Sequence, residues 1–404
     1  MLAILRHPKY RFFFANTLCR DLGVIVFFVS NGWLALTLTD SPFWVGATAG
    51  SVGVGLAGFS VFGGVLADRL DRKKLLMGAQ VWMAVVATVM AALVATGRVE
   101  LWHLMLAGFS FGVSNAVELP SRNAFTMDLM GRGNLLRGVA TNFVTAQIMG
   151  IAAPIVAGQV LEAFDDSWAY VVVAGSNMVA VTMLLPLRYQ RPAVAEHRTP
   201  LRDLREGLAY GFRTPLIRGL ILLGITGEVF GWSHETMLPV MAGDVLKVGA
   251  AGLGYMLSAA GAGSLAFTLV LANLRDIRRK GLVAVVAAAG FGLFLVAFAY
   301  SPWFSLSLLL IALAYGMGHV YEAVVTTALQ TAVPDGMRGR VLSFQTAVWG
   351  ISSLAGFVAG AIANALGAPA AIAIGGGVLV VSALSLMPMA SRLRERPEAK
   401  GELG

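Results

Sequence analysis

Charge is what this chain has least of: only 13% of its 404 residues are Asp, Glu, Lys or Arg, against about a quarter in an ordinary soluble domain. That scarcity excludes a solvated globular surface. Cysteine is nearly absent as well. Cys19 stands alone, so no internal disulfide forms and no oxidising compartment is implied. No group of Cys and His has metal-binding spacing, and no Gly-x-x-x-x-Gly-Lys-[Ser/Thr] loop is present to cradle a nucleotide phosphate. A Gly-x-Ser-x-Gly nucleophile elbow is not expected either. The chain therefore reads as no enzyme, with no metal, no cofactor and no ATP-driven step of its own.

Apolar residues fill the space that charge leaves. They make up 57% of the chain, and the mean hydropathy is +0.75, which points to a bilayer. The net charge of +8 raises the question of nucleic acid, but the basic residues sit in short loops beside apolar runs, as membrane orientation demands. Nucleic acid is discounted as a partner. Near the start, Arg6, His7, Lys9 and Arg11 precede an apolar run too long for a signal-peptide core, with no small-residue cleavage site after it. A retained first helix follows.

A helix rises about 1.5 Å per residue, so about 20 apolar residues cross a hydrocarbon layer about 30 Å thick. Twelve such spans are predicted, at 12–38, 43–67, 74–96, 101–124, 138–162, 167–188, 216–241, 252–273, 281–300, 303–327, 341–363 and 368–390. Breaks such as Ser41-Pro42, Gly97-Arg98, Asp165-Asp166 and Ser301-Pro302 separate them. Lys and Arg gather in alternate loops: Arg69, Arg72, Lys73 and Lys74 in one, Arg132 and Arg137 in another, Arg275, Arg278, Arg279 and Lys280 in a third, Arg338 and Arg340 in a fourth. The loops between hold only Arg98 and Lys247. Because cytoplasmic loops collect positive charge, both termini are expected in the cytoplasm.

Residues 1–188 and 216–404 are expected to form two six-helix bundles, the second ending in a short cytoplasmic tail. Residues 189–215 form the cytoplasmic linker, carrying Arg191, Arg198, Arg202, Arg205 and Arg213. In it Leu201, Leu204 and Leu208 share a helix face opposite Arg202, Arg205 and Glu206, which suits an amphipathic helix on the inner leaflet, a plain solvated linker being the alternative. A weak repeat between 137–146 and 338–347 opens the fifth span of each half. Two related bundles facing one another is a known transporter plan, with the substrate near the midplane.

The run Gly64-Val65-Leu66-Ala67-Asp68-Arg69-Leu70-Asp71-Arg72-Lys73-Lys74 resembles the loop between the second and third helices of the major facilitator superfamily of secondary transporters. The resemblance implies that Gly64 permits close helix packing. It also implies that Asp68, with Arg69, Arg72 and Lys73, belongs to a conformational latch that steadies one state. Asp71 stands where most members have Gly. Ala153-Pro154-Ile155-Val156-Ala157-Gly158 looks like a degraded form of the Gly-Pro-x-x-Gly-Gly element of exporters, whereas no Arg stands early in the fourth span, where many proton-coupled members place one. Together with Pro200-Leu201-Arg202-Asp203-Leu204-Arg205-Glu206-Gly207 and Val333-Pro334-Asp335-Gly336-Met337-Arg338-Gly339-Arg340-Val341, these features are most similar to the branch that contains the enterobactin exporter and the macrolide efflux proteins.

An ionisable group kept inside a span is a functional candidate, because lipid makes it costly. The candidates are Arg20 and Asp21 in span 1, Glu118 and Arg122 in span 4, Glu228, His234 and Glu235 in span 7, and His319 and Glu322 in span 10. The resemblance implies that spans 1, 4, 7 and 10 line a central cavity. Helical spacing predicts three polar stripes: Asn115, Glu118 and Arg122; Glu228, Trp232 and Glu235; Tyr315, His319 and Glu322. Asp21 and Arg20 lie about 100° apart and are expected not to pair. Glu118 and Arg122 read either as a site or as a structural pair, with Arg122 free to reach the headgroups. Glu228, about 18 Å into span 7, is the leading proton carrier. His319 and Glu322 suit a relay, and Glu235 with His234 an outer gate.

The expectation is a twelve-helix, monomeric secondary transporter in a bacterial cytoplasmic membrane. It would export a small amphipathic compound, neutral or cationic, against proton entry, with protons, substrate and lipid as its partners. Aromatic residues such as Phe28, Trp232, Tyr315 and Trp349 support that substrate class. A siderophore exporter, a proton-coupled importer and a transport-inactive receptor or scaffold are the alternatives.

Overall fold

The computed structural model describes residues 8–130, 135–187, 214–273, 280–333 and 354–390. Among these residues the chain is helical throughout. The N-terminal half comprises α1 (Pro8–Thr39), α2 (Pro42–Arg69), α3 (Arg72–Ala95), α4 (Leu101–Met130), α5 (Leu135–Ala163) and α6 (Ser167–Leu184). The other half comprises α7 (215–245), α8 (Gly249–Asn273), α9 (Lys280–Ala299), α10 (Phe304–Ala332), α11 (Leu354–Leu366) and α12 (Ala368–Ser385). Nine of the twelve are long and apolar enough to cross a membrane. The others have visible reasons: α4 carries Glu118 and Arg122, α7 is broken, and the described part of α11 is short. The linker 189–215 with its proposed amphipathic helix, the second copy of the repeat, Trp349, and the basic loops around Arg132, Arg275 and Arg338 lie wholly or almost wholly outside the described residues.

Twelve helices in two related bundles is what the packing displays. In the first half α2 packs on α4, and α3 on both α4 and α6. An offset of six gives the second half, where α8 packs on α10, and α9 on both α10 and α12. In lipid no water is released when apolar helices meet, so close approach through small residues drives the pairing. Gly55 and Gly63 of α2 lie on the backbone of α4, and Gly108 and Gly112 of α4 lie on α2, so that a Cβ on Gly112 would meet Leu56 N at 2.8 Å.

This crossing corrects two expectations. A Gly-x-Ser-x-Gly run does exist, Gly108-Phe109-Ser110-Phe111-Gly112. It lies within α4 rather than on a strand-to-helix turn, and its glycines serve helix contact. Equally, the close-packing glycine of the first loop is Gly63, whose added Cβ would fall on Ala116 and within 3.0 Å of Val117 N. At Gly64 no described atom comes within 4 Å of such a Cβ.

The halves meet through α5 with α8 and through α2 with α11. Among the described residues these contacts gather toward the end carrying the α1–α2 turn. Gly46 faces Gly356 and Gly360 backbone to backbone, Gly158 faces Gly254 so closely that an added Cβ would meet its Cα at 3.1 Å, and Ser41 Oγ bonds Asn364 Oδ1 at 3.2 Å.

Candidate functional site

The interior ionisable residues fall into separate groups rather than one. In the N-terminal half, Asn16, Thr17 and Arg20 share a face of α1, and Asn115, Glu118 and Arg122 share a face of α4. Glu118 is buried between two guanidiniums: Oε1 lies 3.1 Å from Arg20 Nε and also pairs with Arg122. Gln80 Nε2 donates to it at 3.4 Å. Arg20 also reaches Asp21 at 3.2 Å and donates to Asn115 Oδ1 at 2.6 Å, while Arg122 donates to Thr17 Oγ1 at 3.0 Å. Asn16 then bonds Gln80 (3.1 Å) and the Ala180 carbonyl (2.8 Å), joining α3 and α6 to the cluster. Two cations balance two anions, which is how such burial is tolerated. Two expectations are corrected. Arg20 and Asp21 do pair, because the long arginine stem spans the angle between adjacent positions. Arg122 is only 6% exposed and stays inside instead of reaching the headgroups.

The second group lies between the halves. A cavity of about 330 Å³ is walled by Phe28 of α1, Gln147 of α5, Glu235 of α7, Ser264 of α8, and Tyr315 and His319 of α10, with apolar residues between. A smaller space of about 160 Å³ shares Phe28, Glu235 and Pro239 with it and extends to Trp232. Tyr315 donates to Glu235 Oε1 at 2.8 Å, and His319 Nδ1 lies 3.1 Å from Ser264 Oγ and 3.0 Å from the Tyr315 carbonyl. Glu235 is exposed, and it lines both spaces. Trp232 stands 5.0 Å from Phe291 and 5.2 Å from both Tyr315 and His319, ring to ring. Among the described residues no Lys or Arg lines either space.

The shape of α7 decides which acid is there. An α-helix at Pro215–Thr226 gives way to a π turn at Gly227–Gly231 and a 3₁₀ segment at Trp232–Met237, followed by a further π turn at Met241–Val245. A π turn inserts a residue, and a 3₁₀ turn sets positions three apart in line. Trp232 and Glu235 thus stay together, but Glu228 leaves the expected stripe. Neither Glu228, Glu322 nor Asp21 lines the two cavities. Glu228 and Glu322 are both part-buried and lie near Tyr321 instead. Tyr321 is buried, donates to the Leu223 carbonyl at 2.7 Å, and covers Gly227. His234 is buried against Tyr315 (5.2 Å) with Nδ1 2.6 Å from the Gly231 carbonyl, and it lines neither cavity. Gln147 and Ser264 escaped the sequence reading because they are uncharged; a carboxamide within an apolar span was the available signal for the first.

At the α2–α3 turn, Asp71 Oδ1 accepts from Lys74 N at 3.2 Å and so caps α3. This is the work the acid does where most members have Gly. Arg72 pairs with Asp128 of α4 at 2.5 Å and donates to the Ala67 carbonyl at 3.3 Å, and Lys73 donates to the carbonyls of Leu185 (3.0 Å) and Leu187 (2.8 Å) beyond α6. The turn is thus fastened to its own half. Asp68 and Arg69 are exposed.

Two pseudo-symmetric six-helix bundles around a cavity with few polar groups define a multi-pass membrane transporter of major facilitator type. Residues 1–401 match the profile of the transmembrane secretion effectors, and the chain belongs to that family. It is 27% identical over 410 residues to the enterobactin exporter EntS of Escherichia coli O81 (strain ED1a), across 97% of this chain and 94% of that one. Its counterpart in Escherichia fergusonii is similar to the same extent. Among solved structures, the fold is similar to the nucleoside transporter NupG (TM-score 0.72, 16% identity, covering 95% of this chain and 99% of that one). It is also similar to a D-xylose-proton symporter (TM-score 0.68, 16% identity, 93% and 97%).

Proposed function

We propose that the protein exports a small amphipathic compound, neutral or cationic, from the cytoplasm in exchange for protons. It does so as a monomer in a bacterial cytoplasmic membrane, with both termini inside and the proton gradient in place of any cofactor. The cavity between the halves carries this reading. Its acid is Glu235, its walls are the rings of Phe28, Trp232 and Tyr315, and among the described residues no Lys or Arg lines it to meet an anion. Halves 1–188 and 216–404 rock about it, tethered by 189–215. If the basic loops are cytoplasmic, the contacts at the α1–α2 end close the cavity toward the outside. Glu235 meets the substrate. Glu228, on the π turn, carries the proton, with Glu322 and Asp21 as further acids whose protonation biases the two states.

Uptake into inverted vesicles under an imposed pH gradient tests this. Glu228→Gln is expected to abolish gradient-driven movement while substrate counterflow persists; unchanged gradient-driven transport removes Glu228 from the mechanism. The similarity to the enterobactin exporter favours a second reading, export of a siderophore. An anionic siderophore wants guanidinium partners, and here Arg20 and Arg122 are engaged by Asp21 and Glu118.

A further inference from the structure

The two walls of the cavity are chemically unequal. The C-terminal half supplies Glu235, Ser264, Tyr315 and His319, whereas Gln147 is the polar side chain from the N-terminal half, among Ile25, Phe28, Val29, Gly150 and Pro154. The Gln147 Nε2 is buried and has no hydrogen-bond partner among the described residues. A buried donor left unfilled is costly, so native proteins rarely keep one without a use for it. Across the cavity Glu235 Oε1 takes the Tyr315 hydroxyl, and the carboxylate faces the open space.

We propose that Gln147 determines specificity: its carboxamide donates to a carbonyl, ether or hydroxyl oxygen on the substrate while Glu235 of the other half holds the substrate's cationic nitrogen. The ligand class is then an aromatic or apolar body with a cationic nitrogen at one end and an acceptor oxygen a few bonds away. Such a ligand bridges the halves and supplies the partner that Gln147 lacks. The inference rests on the cation-binding reading above and narrows it.

Two quaternary ammonium probes of equal length separate the parts: benzoylcholine, with an ester between ring and nitrogen, and phenylbutyl-trimethylammonium, with methylenes in its place. Binding is read by tryptophan fluorescence on the purified full-length protein. Benzoylcholine is expected to bind the native protein more tightly. Gln147→Met is expected to weaken benzoylcholine about fivefold, the worth of one neutral hydrogen bond. The same variant holds phenylbutyl-trimethylammonium within about twofold, which also shows that it is folded. Glu235→Gln weakens both probes. Equal loss of both probes in Gln147→Met, or loss of neither, overturns the role of Gln147 and leaves the cation site standing. If neither probe binds the native protein, the cation reading fails and this inference falls with it.

Discussion

At the scale of single residues, the chain separates structural charge from functional charge. Glu118 is surrounded by Arg20, Arg122 and Gln80 and is 3% exposed. Removing one partner of such a group strands the others, at a cost of about 3 kcal/mol or more. Glu118→Gln is therefore expected to lower the thermal midpoint and the yield of folded protein, with Arg122→Met added in the same chain recovering part of the loss. A variant as stable as the native protein would mean that the cluster is not holding the half together. Glu235 is the contrasting case, engaged by one tyrosine and open to the cavity. Glu235→Gln is expected to leave the midpoint within a few degrees while cation binding falls at least tenfold in a titration. The sequence could rank these acids by type but not by company, since Glu118 and Glu235 differ only in what other helices bring to them.

Helices carry the next level of information. Apolar length made α1, α2, α3, α5, α6, α8, α9, α10 and α12 legible, because lipid forces the backbone to satisfy itself within each span. The π and 3₁₀ turns of α7 were not legible: they answer to packing against α9, α10 and α12, as where Tyr321 covers Gly227 while Phe291 and Leu379 meet Gly231. Glycine contacts were legible only as composition. Gly63 and Gly64 look alike in the chain, yet only one lies on α4. Gly63→Ala is accordingly expected to destabilise the N-terminal half in a thermal melt more than Gly64→Ala; equal losses would contradict the α2–α4 crossing. The turn between α5 and α6 adds a pH effect. Burial, and then the neighbouring Asp165, raise the Asp166 carboxyl above its ordinary range. A raised acid favours the folded state while protonated and costs stability once pH rises past its folded value. Asp166→Asn is thus expected to raise the melting midpoint at neutral pH and to have no effect in strong acid.

For the molecule as a whole, the sequence displayed the duplicated plan through span count, alternating loop charge and one loop motif. It could not show at which end the halves touch. That depends on backbone approach between distant positions such as Gly46 and Gly356, which no local pattern encodes. A Ser41→Cys, Asn364→Cys pair in a chain whose Cys19 is replaced is expected to cross-link on mild oxidation, stop transport, and regain it on reduction. Full transport by the cross-linked protein would show that the α1–α2 end need not open.

The central claim is that proton entry drives a cationic amphiphile through the cavity at Glu235. It is tested most directly by counting benzoylcholine accumulated in inverted vesicles, acid inside, with and without a protonophore. The account predicts accumulation that collapses with the protonophore and is absent in Glu235→Gln. Accumulation indifferent to the gradient, or undiminished in Glu235→Gln, would contradict it.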